Sequence, residues 1–257
     1  MSEFNVGVCK DNEVIKEIFK EYSQIKGAES CLSGFWMSEM IKRFKEVSGL
    51  YIEKIYGQDR LAFAMSDTSD LYDLVEYAQR GGYQGSVIKF YDFENGNVYT
   101  PFEKKRDVIY SRPAYVDGLY YFLQADYEQG KVTLYKYLPE DVLEAVAEFG
   151  TDEVDLYNLQ IVGEKVHVIS QNGEVFKCYY PEKISFPLEG NETVVLLTDD
   201  RVYIEKWIEE GWDEENNCAT DEYKYYDKVL IKDYAGNLLS EEVGSLYQAA
   251  DGTYWMA

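Results

Sequence analysis

VIKFYDFENGNVY (residues 87–99) is the stretch on which the fold turns. An apolar run containing β-branched and aromatic residues leads into Glu-Asn-Gly-Asn, and a second apolar run begins at Val98. Glycine and asparagine tolerate the positive φ that tight hairpin turns require, so the pattern predicts strand, turn, strand. The arrangement recurs in IKRFKEVSGLY (41–51), TLYKYLPEDVL (133–143), FKCYYPEKISF (176–186) and VLIKDYAGNLL (229–239). The first apolar residues after the turns are Leu50, Val98, Val142, Ile184 and Leu238, spaced 48, 44, 42 and 54 residues apart. The last interval contains a polar, strand-poor insertion, GWDEENNCATDE (211–222), and without it the period is close to 42.

A second set of hairpins is interleaved with the first. YGQDRLAFA (56–64), VDGLYYFL (116–123), VGEKVHVIS (162–170), LTDDRVYIE (197–205) and AADGTYWMA (249–257) each place a short turn before an apolar strand. Asp-Gly at 117–118 and 251–252 is the strongest of these signals, because a type I′ turn needs positive φ at both central residues. Turns arriving about every ten residues give an all-β cadence.

On these residues the sequence resembles β-propeller repeat proteins, whose blades carry about four strands in ~40–50 residues. The resemblance is to the architecture, over about residues 50–257. Trp212-Asp213 occurs once and inside the insertion, unlike a WD repeat, and Gly81-Gly82-Tyr83, the only hint of kelch, also occurs once. The resemblance implies one domain over 1–257 with six blades, or five. Its units would be 245–257 with 1–20, then 21–56, 57–103, 104–147, 148–188 and 189–244. FNVGVCKDNEVIKEIF (4–19) would complete the C-terminal half-blade. The 25 tyrosines suit the wedge between blades, since their rings are wide and favour pleated, half-buried surfaces. The competing fold is α+β. Val14, Ile15, Ile18, Phe19, Tyr22 and Ile25, then Met37, Met40, Ile41, Phe44 and Val47, lie at helical spacing, so residues 12–47 also read as a helix pair. DLYDLVEYAQR (70–80) is a third helical candidate.

Charge narrows the partners. The chain of 257 residues has 48 acids against 25 bases, a formal net charge of −23. Nucleic-acid binding rests on Lys and Arg releasing counterions from phosphate, so neither nucleic acid nor an anionic membrane is an expected partner. The N-terminal sequence has no basic and apolar signal-peptide regions, and no stretch reaches the ~20 apolar residues that span a bilayer. Cys9, Cys31, Cys178 and Cys218 form no CxxC pair, which fits buried thiols in a cytoplasmic protein.

Catalytic signatures are missing. His167, the sole histidine, lies between two valines on a predicted strand, as a packed residue would. No Walker A, GxSxG or HExxH motif occurs. GGYQG (81–85) lacks the lysine and following helix of a phosphate cradle and reads as a loop. The acids of 152–155 and 213–215 read as solvated loop charge, and no metal or cofactor is expected. Two features suggest binding. Trp207 and Trp212 flank acids at the insertion, taken here as 209–222, a composition suited to a cation, a basic side chain or a sugar face. Lys104-Lys105-Arg106 is the only basic triplet, and it falls with Arg60 in what read as connections between blades, where propeller ligands sit. Arg60, Lys105, Arg106, Trp207 and Trp212 are therefore the candidate ligand-binding residues. They belong to a non-enzymatic cytoplasmic binding or scaffold module that presents a site for a protein or small-molecule ligand at the propeller channel mouth. The alternative is a carboxylate-based glycoside hydrolase or lyase. The sequence carries no sign of oligomeric state.

Overall fold

The computed structural model describes residues 41–67 and 70–257. It divides into units of Met1–Arg43 and Phe44–Ala257, and every element below lies in the second. The readings of 4–19, of units 1–20 and 21–40, and of a helix pair across 12–40 fall outside the described residues, as do Cys9 and Cys31.

The described chain is all-β apart from one short helix. Its first sheet is β1 (Glu53–Lys54), β2 (Leu61–Met65), β3 (Ile88–Asp92) and β4 (Val98–Tyr99). The second is β5 (Val108–Tyr110), β7 (Leu119–Asp126), β8 (Lys131–Leu138) and β9 (Val142–Gly150), with β6 (Ala114–Val116) also paired to β7. The third runs through β10 (Gln160–Val162), β11 (His167–Asn172), β12 (Val175–Tyr180) and β13 (Ile184–Pro187), and the fourth through β14 (Glu192–Leu197), β15 (Arg201–Asp213), β16 (Cys218–Asp233) and β17 (Leu238–Val243). A two-stranded hairpin, β18 (Leu246–Gln248) and β19 (Tyr254–Met256), follows. All pairs are antiparallel. The helix α1 (Asp73–Gln79) lies inside the 70–80 candidate and buries Leu74.

Successive side chains of a strand point to opposite faces, and here the two faces of a sheet join different cores. On β7, Tyr120 and Phe122 pack with Phe90 and Ile88 of the first sheet, while Leu123 and Ala125 pack with Leu156, Leu159 and Val168 on the side of the third. On β11, Val168 faces the second sheet and Ile169 joins Val194, Val202 and Ile204 of the fourth. This two-sided burial explains why β7 reads as nearly continuous apolar sequence. Each large side chain so buried contributes roughly 1.5–3 kcal/mol.

Tyrosines concentrate at the first of these interfaces. Tyr110, Tyr120 and Tyr137 are buried there, with Phe90 and Tyr137 centroids 4.8 Å apart. The Tyr120 hydroxyl donates to Gln58 Oε1 at 2.9 Å, and the Tyr110 hydroxyl accepts from Gln124 at 3.2 Å. The other two interfaces are mainly aliphatic, with Phe176 and Phe186 in the last.

The C-terminal hairpin touches sheets at both ends of this series. Leu246 N–H donates to Glu205 of β15 at 2.5 Å, and Gly57 N–H of the β1–β2 turn donates to Ala250 C=O at 3.1 Å. Gly57 and Gly252 have φ of +86° and +89°, and a Cβ on Gly252 would sit 2.8 Å from Gly57 Cα. Glycine is required at this crossing.

Three sequence expectations are corrected. Residues 41–51 form no strand. Their apolar positions, Ile41, Phe44, Val47 and Leu50, recur every third residue, which places them on neither face of a pleated strand. Phe44 instead packs on Tyr91 and Phe93. The insertion 211–222 is not strand-poor, for β15 and β16 continue through most of it. Cys178 is buried as expected, but Cys218 is exposed.

Candidate functional site

The five candidate residues lie on three different elements. Arg60 sits in the turn between β1 and β2, inside the first sheet and not in a connection between sheets. The two-residue β1 is too short to register as periodicity, which is why the boundary read three to four residues late. Lys105 and Arg106 do lie in the connection from the first sheet to the second.

Both Arg60 and Lys105 face a buried aspartate at the end of a neighbouring strand. Arg60 donates through Nε at 3.2 Å and Nη2 at 3.0 Å to Asp92, which is fully buried. Asp92 also accepts from Glu94 N–H at 2.9 Å and Asn95 Nδ2 at 3.1 Å, capping its own turn. Lys105 reaches Asp126 at 2.6 Å, and Asp126 accepts from Gln129 N–H at 3.0 Å. The hydrogen bond to Asp92 raises the pKa of Arg60, and that to Asp126 raises the pKa of Lys105. A buried carboxylate is costly unless paired and hydrogen-bonded, so these two cations have a structural task. Arg106 packs against the GGYQG loop, donating to Gly81 C=O. At Gly85, φ is +85° and a Cβ would lie 1.8 Å from Lys105 C=O. Gly85 thus serves close backbone packing, while a Cβ on Gly82 would meet the Arg106 guanidinium.

The acids of the other clusters cap turns. Asp213 Oδ1 accepts from Glu215 and Asn216 N–H, both at 3.0 Å, and its pKa is lowered by Asn216. Asp233 receives Ala235 and Asn237 N–H at 2.9 and 2.8 Å. Asp155 accepts from Tyr157 N–H at 3.0 Å and Asn172 Nδ2 at 2.7 Å. His167 is buried, with Nδ1 3.2 Å from Lys165 C=O, and burial lowers its pKa. Among the described residues, no group of three His, Cys, Asp or Glu is placed to hold a metal ion.

Trp207 and Trp212 lie on the long β15–β16 hairpin. Its base is fixed by buried Glu192, which Lys232 meets at 2.9 Å. β14 supports β15 as far as Trp207, where Asn191 C=O accepts Trp207 N–H at 3.0 Å. β17 supports β16 as far as Asp227, whose carbonyl accepts Gly244 N–H at 2.9 Å. Beyond these points, among the described residues, Ile208 to Asp213 and Cys218 to Tyr226 pair only with each other. The register pairs Trp207 with Asp227 and Glu209 with Tyr225, placing all four on one face. Tyr223 joins them: its hydroxyl donates to Glu209 at 2.7 Å, and its ring lies 6.4 Å from Tyr225 and 5.9 Å from Trp212. Trp207, Tyr225 and Trp212 are 46%, 67% and 37% exposed. On the opposite face, Glu210 is satisfied by Lys224 at 2.8 Å and the Tyr226 hydroxyl at 2.7 Å. The sequence pointed to the two tryptophans but not to Tyr223 and Tyr225, whose alternation with Lys224 was the available sign of a strand.

Comparison of the chain with family models, curated proteins and solved structures finds no match. No helix among the described residues is long and apolar enough to cross a membrane.

Proposed function

We propose that the protein is a non-enzymatic binding module whose sheets are blades of a propeller-like ring and whose projecting hairpin holds a basic, extended segment of a partner protein. The face-to-face succession of sheets, with the C-terminal hairpin bonded both to the fourth sheet and to the first, supports the ring. The aromatic row Trp207–Tyr225–Tyr223–Trp212, interleaved with Glu209 and Asp227 on strands that outrun their neighbours, carries the binding reading. Residues 207–227 hold eight acids against one lysine. Rings beside carboxylates attract Lys and Arg by cation–π and Coulombic contact, and strand edges that no described residue pairs with offer main-chain pairing to an extended peptide.

An Arg- and Lys-rich peptide titrated into the full chain, followed by tryptophan fluorescence and calorimetry, tests this. The expected result is saturable binding that weakens with salt and falls about tenfold in Trp207→Ser/Tyr225→Ser, since each cation–π contact is worth roughly 0.5–1 kcal/mol at an exposed site. Equal binding by that variant, or by an acidic peptide, would refute it. The hydrolase alternative needs a carboxyl group held protonated near neutral pH. Glu189, Glu210, Asp213, Asp233 and Asp251 are displaced downward, so none of these five is such a group.

A further inference from the structure

A cleft of about 500 Å³ opens where the β1–β2 turn meets the β18–β19 turn. We propose that it binds a small organic cation with a flat apolar body, an arylalkylammonium being the simplest of the class. The proposal is independent of the hairpin and its partner.

The cleft has the size and composition of a ligand pocket, which typically spans ~300–1,000 Å³ and is mainly apolar with few polar groups. Ile55, Leu61 and Ala62 line it, and all three are buried. Tyr56 and Phe93 also line it and keep about half their surface exposed, so two rings are available to cover a planar guest. The wall is rigid. The Gln58 amide donates to Ile55 C=O at 2.9 Å and Leu61 C=O at 2.7 Å, while its oxygen accepts from Leu61 N–H at 2.7 Å and Tyr120 at 2.9 Å. Gln58 is therefore fully engaged and fixes the turn without contacting a guest.

The remaining polar groups set the sign of the ligand. Asp59 and Asp251 line the cleft, with Lys54 as the one cation among the described lining residues. Asp251 Oδ1 accepts from Thr253 N–H at 3.0 Å and Thr253 Oγ1 at 2.7 Å. Asp59 makes no hydrogen bond or ion pair with any described residue. The nearby Arg60 guanidinium is held by Asp92 and does not neutralise it. Two carboxylates against one ammonium, beside exposed Tyr56 and Phe93, favour a cation whose charge is shared between carboxylate and ring faces.

Tryptamine and indole-3-acetate, which share a ring system and differ in charge, are the probes, titrated into the full chain by calorimetry with ligand-observed NMR. Tryptamine is expected to saturate one site and indole-3-acetate to bind at least about tenfold more weakly. Asp59→Asn and Tyr56→Ala, both at exposed side chains, should each weaken tryptamine about fivefold without changing the melting temperature. Trp207→Ser/Tyr225→Ser should bind tryptamine as the wild type does, which separates this site from the hairpin. Absence of saturable tryptamine binding, equal affinity for the two probes, or unaltered affinity in both cleft variants would overturn the proposal.

Discussion

Replacing Arg60 by methionine asks whether its charge belongs to the fold or to a ligand. The substitution keeps most of the apolar stem and removes the two donors that reach Asp92 at 3.0 and 3.2 Å. A hydrogen bond to a charged group contributes roughly 1.5–3 kcal/mol, and breaking a buried pair by deleting one partner costs about 3–5 kcal/mol. Two features reduce the loss. Asp92 keeps the Glu94 and Asn95 donors, and the Arg60 side chain is 35% exposed, so part of its interaction is already screened. A loss of about 3 kcal/mol follows, near the lower end. At roughly 2–4 °C per kcal/mol for a chain of this size, the melting temperature should fall by about 6–12 °C. Calorimetry and urea denaturation followed by circular dichroism measure it. Asp92→Asn should cost a similar amount, and the double variant should lose at least about 1 kcal/mol less than the sum, because neither partner is then stranded. Lys105→Met, which strips a more exposed cation from Asp126, should lose less. An Arg60→Met protein that melts within 1–2 °C of the wild type would refute the argument and return Arg60 to the candidate ligand residues.

Three further outcomes are expected. Gly85→Ala should destabilise by about 3 kcal/mol or yield no soluble protein, since its Cβ collides with Lys105 C=O; Gly118→Ala, at φ +84° in open space, should cost only about 1–2 kcal/mol in the same urea titration. Burial pushes the Cys178 thiol up to about 11, so iodoacetamide at pH 8 should label Cys218 in the native protein and Cys178 only after unfolding, as read by peptide mass spectrometry. The pKa of His167 is lowered in the folded state, so protons bind the unfolded chain first and stability should decline as pH falls below the ordinary histidine value of 6.5; His167→Gln should flatten that part of the melting-temperature profile.

Much of the strand order was legible because turn chemistry is local. Val98, Val142, Ile184 and Leu238 each open the last strand of a sheet, and all five interleaved turns join neighbouring strands of a sheet. Asp117 and Gly118 both have positive φ, as an Asp-Gly turn predicts, whereas at 251–252 only the glycine does. The insertion misled because an exposed hairpin stabilised by side-chain pairs across its strands needs no apolar alternation, and the eight acids of 207–227 hid the strand-forming Tyr223 and Tyr225. The partners of Arg60 and Lys105 were hidden for another reason. Asp92 and Asp126 look like any other turn aspartates, and only packing from adjacent strands reveals that they are buried. Nothing in the sequence announces the cleft, because the Gly57–Ala250 contact that borders it is made by backbone.

That same contact has a kinetic consequence. Nearly all strand pairing here joins chain neighbours, so each meander can assemble over short loops at little entropic cost, while the bond from Gly57 to Ala250 must wait for both ends of the array to meet. Early folding should be fast and modular, and the final slow step should be the joining of the first and last turns.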